Sequence, residues 1–79
     1  MPNLTLYVRE DCPYCGKVLS YLAEKNISAP TKDISKGPEI FQELVSIGGK
    51  KQVPCLVING KALYESNDII EWFKNSTEN

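Results

Sequence analysis

At 79 residues, 42% hydrophobic and 24% charged, the chain has room for one ordinary globular domain, 1–79, around one small core. A net charge of −1 with no run of one sign argues against nucleic acid and membrane-surface partners, and no apolar run is long enough to span a bilayer. The N-terminus lacks the basic and apolar regions of a secretory signal, so a cytoplasmic, reducing location is expected, and an odd count of three cysteines argues against a disulfide framework.

Residues 3–8 read as a strand in which Leu4, Leu6 and Val8 alternate with Thr5 and Tyr7. The weak polar face predicts a central strand covered on both sides. Arg9-Glu10-Asp11 is a short loop, and residues 13–25 read as a helix with Val18, Leu19, Tyr21 and Leu22 on its apolar face. Lys25-Asn26 is a plausible end, because Asn tolerates the left-handed cap. A second, shorter strand is expected around Pro30–Asp33, with Pro30 tolerated on a sheet edge. Pro38 opens a second helix over 38–47, which Gly48-Gly49 terminates. Cys55–Ile58 and Lys61–Tyr64 are strands joined by Asn59-Gly60, the strongest short-range hairpin signal. Ser66-Asn67-Asp68 opens a third helix, roughly 67–75, with Ile69, Ile70, Trp72 and Phe73 on its apolar side. Residues 75–79 are polar and are expected to fray. The fold class is therefore α/β: a four-stranded mixed sheet with three helices in the order β-α-β-α-β-β-α. Its first two strands are parallel, because a crossover helix joins them.

Cys12-Pro13-Tyr14-Cys15 lies at the first strand-to-helix junction. A Cys-x-x-Cys pair in that context is the redox pattern of a thioredoxin-like fold. Pro13 suits the first helical position, which puts Cys12 at the N-cap with its sulfur near free backbone amides. Those amides and the positive end of the helix dipole favour the thiolate, the reactive form. Cys12 is thus the expected exposed nucleophile, and Cys15, one turn on, the more buried resolving thiol. Structural zinc binding would need four ligands, whereas the chain has no His and only Cys55 besides this pair, so no metal site is expected.

With these residues in place, the chain resembles glutaredoxins over nearly its full length. The resemblance rests on Arg9-Glu10-Asp11-Cys12-Pro13-Tyr14-Cys15, on Val53-Pro54, and on Ser66-Asn67-Asp68. It implies a thioredoxin fold and a glutathione-dependent thiol–disulfide oxidoreductase. It implies a cis bond before Pro54 and backbone pairing of Val53 with the cysteine of glutathione, a small case of strand addition. It also implies that Ser66, Asn67 and Asp68 receive the γ-glutamyl end at a helix N-terminus; simple N-capping by Ser66 is the plainer alternative. Arg9 is expected to hold a glutathione carboxylate, or else to be a solvated surface charge. Tyr14 is expected to line the groove, or else to pack in part on the first helix. Lys17 is either a thiolate stabiliser or part of a solvated helix face.

Three positions depart from the family pattern. Tyr64-Glu65 replaces a common Gly-Gly pair, and Glu65-Ser66 looks instead like the glutathione site of glutathione transferase N-terminal domains. The second-helix position that often carries Arg or Gln is Phe41, leaving Lys50, Lys51 or Gln52 as candidates for the glycyl carboxylate. Cys55 directly follows Pro54; it reads as a partly packed strand residue, with a regulatory thiol as the sharper alternative. The expected partners are glutathione and disulfide-containing or glutathionylated proteins, with the chain a monomer and no tightly bound cofactor. Two other readings stay open: a thioredoxin-like reductase recycled by a flavoprotein reductase, and a dimeric iron–sulfur cluster carrier, against which Pro13 argues. A stand-alone glutathione transferase is not expected, because no chain is left to encode the usual helical second domain.

Overall fold

The computed structural model describes residues 3–77. Strand β1 (Leu4–Val8) leads into helix α1 (Pro13–Glu24), strand β2 (Thr31–Asp33) and helix α2 (Pro38–Gly48). Strands β3 (Cys55–Ile58) and β4 (Lys61–Tyr64) form the hairpin, and helix α3 (Ser66–Thr77) follows. The sheet order is β2-β1-β3-β4, with β1 parallel to β2 and the other neighbours antiparallel. This is the thioredoxin-like α/β arrangement expected from the sequence.

Alternation along β1 splits the core in two. Leu6 and Val8 point to one face with Leu56, where α1 supplies Cys15, Val18 and Leu22 and α3 supplies Ile69 and Phe73. Tyr7 points to the other face with Cys55 and Val57, where α2 supplies Leu44. Three successive β1 residues are therefore buried, as a central strand covered on both faces requires. Cys55 is fully buried, more so than the partly packed position read from the sequence.

Local signals set the element ends. Cys12 caps α1 in extended conformation with Pro13 behind it, and Asn26, at φ 57°, turns the chain out of the helix. Gly49, at φ 76°, closes α2 and donates its N–H to Val45 O at 2.7 Å. Asn59 and Gly60 both take positive φ, as a two-residue hairpin turn needs. Several element ends differ from the sequence reading by a residue or two, and three differences have a local cause or change an element. Strand β2 starts at Thr31, because Pro30 has no N–H to give; its carbonyl still accepts from Leu6 N at 2.8 Å. A short 3₁₀ turn, Ile34–Lys36, follows β2, with Asp33 Oδ1 accepting from Ser35 N at 2.8 Å and Ser35 Oγ at 2.6 Å. Helix α3 continues to Thr77 rather than fraying from residue 75, and residues 78–79 lie outside the described residues. No described helix is long and apolar enough to cross a membrane.

Candidate active site

The two thiols stand at the start of α1 with different surroundings. Cys12 is half-buried and Cys15 fully buried. Cys15 N donates to Cys12 Sγ at 3.3 Å, so one of the free amides of the helix's first turn is spent on the sulfur. Such a donor stabilises negative charge there. Burial, and then the hydrogen bond with Cys12, push the Cys15 thiol up to about 12, so it keeps its proton at neutral pH. Cys12 Sγ also lies 3.9 Å from Val53 O across the site. The Val53–Pro54 peptide bond is cis, as the resemblance implied.

From Val53 and Pro54 a groove of about 400 Å³ runs between α1 and the start of α3. Tyr14, 65% exposed, forms part of the α1 wall together with Lys17. The i, i+3 spacing of these two residues puts them on one helix face. Gln52 lies beside Val53, and Glu65, Ser66 and Asn67 close the far side. Ser66, only 7% exposed, is the buried polar residue of the fold's α3 entry. Two hydrogen bonds cross the lining: Gln52 Nε2 to Glu65 Oε1 at 3.2 Å, and Lys17 Nζ to Asn67 Oδ1 at 2.6 Å. Glu65 holds φ 73°, the left-handed region that an L side chain rarely takes.

The groove thus gathers Tyr14, Gln52, Val53, Pro54, Ser66 and Asn67 from the residues singled out in the sequence. Arg9 and Asp68 are not among its lining residues. Arg9 Nε pairs with Asp11 Oδ1 at 2.9 Å on the surface and lines a separate depression of about 250 Å³ with Ile34, Ser35 and Phe41. Asp68 is exposed on the first turn of α3. Lys17 and Glu65 line the groove although the sequence reading gave neither a definite binding role. Their signals were the spacing from Tyr14 and the adjacency to Ser66.

Known proteins are similar to this chain in sequence and fold. A model of the glutathione S-transferase N-terminal domain matches residues 6–79. Glutaredoxin 3 of Escherichia coli strain K12 is 26% identical over 69 residues, covering 87% of this chain and 83% of the relative. Glutaredoxin-1 of Saccharomyces cerevisiae is 34% identical over 67 residues, covering 76% of this chain and 61% of that protein. The solved glutathione transferase Omega 3C from Trametes versicolor superposes with a TM-score of 0.81 at 32% identity, over 96% of this chain. The chain spans about a third of that transferase's length, 34%. The likeness to transferases, which the sequence reading confined to Glu65-Ser66, thus extends over nearly the whole chain. These relatives support a thiol oxidoreductase on a thioredoxin-like fold. With the match running from residue 6 to residue 79, the chain belongs to the glutathione S-transferase N-terminal domain family and counts glutaredoxins among its relatives.

Proposed function

We propose that the protein is a glutathione-dependent thiol–disulfide oxidoreductase that reduces protein disulfides and glutathione mixed disulfides. The observation that carries this reading is the placement of Cys12. Its sulfur takes the Cys15 amide at 3.3 Å and lies 3.9 Å from Val53 O, the residue that opens the groove. A thiolate there attacks one sulfur of a disulfide, bonds to it and releases the other half as a thiolate. Glutathione then attacks the mixed disulfide of a glutathionylated Cys12, leaves as glutathione disulfide and regenerates the Cys12 thiolate. On a protein-bound intermediate Cys15, after losing its proton, attacks Cys12 Sγ instead, releases the substrate thiol and forms the Cys12–Cys15 disulfide, which two glutathione molecules reduce. In the groove the Val53 backbone pairs with the glutathione cysteine, Tyr14 and Pro54 flank it, and Ser66, Asn67 and Asp68 receive the γ-glutamyl end. Gln52 and Arg9 are the candidates for the glycyl carboxylate, Arg9 after release from Asp11. The expected setting is a cytoplasmic monomer, with glutathione as co-substrate and no tightly bound cofactor.

A second reading draws on Glu65 and Ser66 and on the likeness to the Omega transferase: the same groove would serve transfer of glutathione to an electrophile. One experiment tests both. The protein reduces a glutathione mixed disulfide in an assay coupled to glutathione reductase, and in parallel to thioredoxin reductase. Turnover with glutathione reductase alone is the expected result. Turnover only with thioredoxin reductase overturns the glutathione reading in favour of a thioredoxin-like reductase. Thioether formation with an aromatic halide, without disulfide reduction, favours the transferase.

A further inference from the structure

Of the residues lining the groove, Lys17 is the cation and Glu65 the anion. Glu65 is bonded to Gln52, whereas Lys17 reaches from α1 to Asn67 on α3. None of the ion pairs among the described residues involves Lys17. Its long side chain is held instead against a neutral amide oxygen, next to the buried Ser66. Holding a lysine in one rotamer costs conformational entropy. A neutral acceptor compensates less of that cost than a carboxylate, whose charge-assisted bond is about twice as strong. The ammonium and the positive end of α3 converge on the same end of the groove. At the Ser66 end of the groove Lys17 therefore carries a charge that its amide partner does not neutralise.

We propose that Lys17 selects ligands by a carboxylate: Nζ leaves Asn67 Oδ1 and pairs with the α-carboxylate of the γ-glutamyl group beside Ser66. This rests on the glutathione reading above. Lys17 is then a specificity-determining residue, distinct from a stabiliser of the Cys12 thiolate.

The test pairs two substrates with two variants. One substrate is a peptide mixed disulfide with glutathione. The other carries 4-aminobutyryl-cysteinyl-glycine in its place, which lacks only the α-carboxylate. The wild-type protein is expected to favour the glutathione form about tenfold through KM, the size of one charge-assisted bond facing solvent. Lys17→Met brings the two substrates close to parity by raising KM for the glutathione form, and Lys17→Arg restores most of the preference. Neither variant changes kcat or the pH profile of Cys12 alkylation. A full preference retained in Lys17→Met overturns the proposal. So does a fall in kcat with a shifted alkylation profile, which makes Lys17 a thiolate stabiliser. Failure of the wild-type protein to turn over either substrate with glutathione overturns the glutathione reading itself, and this inference with it.

Discussion

Burial and its hydrogen bond with Cys12 keep Cys15 protonated at neutral pH, while its own backbone N–H serves the Cys12 sulfur. One residue thus supports the nucleophile and stores the resolving thiol in reserve. Burial likewise raises Cys55, which the sequence could not grade because its neighbours on the α2 side, Tyr7 and Leu44, lie far away in the chain. The most informative single residue is Glu65. At φ 73° it occupies a conformation that costs an L residue about 1 kcal/mol and that Gly takes freely. Its carboxylate nevertheless lines the groove. Glu65→Gly is therefore expected to raise Tm by a few degrees, since about 1 kcal/mol shifts a domain of this size by about 4–8 °C. The same change is expected to raise KM for the glutathionylated substrate several-fold. Calorimetry and steady-state kinetics on the one variant check both halves, and a Tm that falls shows that the side chain, rather than the backbone, decides its stability.

At the scale of elements, one network ties three of them together. Glu43 of α2 accepts hydrogen bonds from Tyr7 of β1 and from Lys32 of β2, the latter at 2.7 Å. Lys32 and then Tyr7 hold the Glu43 carboxyl below its ordinary value of 4.5. A depressed folded-state value contributes stability that is fully present above the unfolded value and is lost as pH falls through the folded one. Asp33, lowered by its bonds to Ser35 from an ordinary 3.8, acts in the same direction. Tm is therefore expected to drop on acidification below about 4.5. Glu43→Gln should lower Tm at neutral pH and flatten that acid limb. A melting curve against pH that stays parallel to the wild-type curve excludes Glu43 as a contributor. This network was not legible in the sequence, because Tyr7, Lys32 and Glu43 meet only once α2 has docked on the sheet. The glycines closing α2 show the same limit. Gly49 terminates the helix by its left-handed backbone, a signal written in the residue type. Gly48 is different: any Cβ there would run into the Tyr64 hydroxyl, so the neighbouring strand demands the glycine.

For the whole molecule, the element order and strand pairing were legible because each end carries its own local chemistry. Pro13 and Pro38 open helices, Asn26 and Gly49 close them, and Asn59-Gly60 makes the hairpin. The weak polar face of β1 sufficed to place it centrally. The 3₁₀ turn after β2 had a local signal too, Asp33 two residues before Ser35, which the helix and strand periodicities do not detect. In the candidate site, motif spacing led to Cys12 and Cys15, and the resemblance to glutaredoxins led to Val53, Pro54 and Ser66. The inclusion of Lys17 and Glu65 in the groove, and the outward pairing of Arg9 with Asp11, depend on side-chain directions set by tertiary packing. The account as a whole turns on one covalent event: attack by Cys12 on a glutathione disulfide held against Val53. The Cys15→Ser variant removes the resolving thiol and should stop the reaction at that point. Incubated with glutathione disulfide and mapped by peptide mass spectrometry, it is expected to carry one glutathione on Cys12 and none on Cys55. Free glutathione should then release it. An unmodified Cys12, or an adduct on Cys55 instead, would contradict the account.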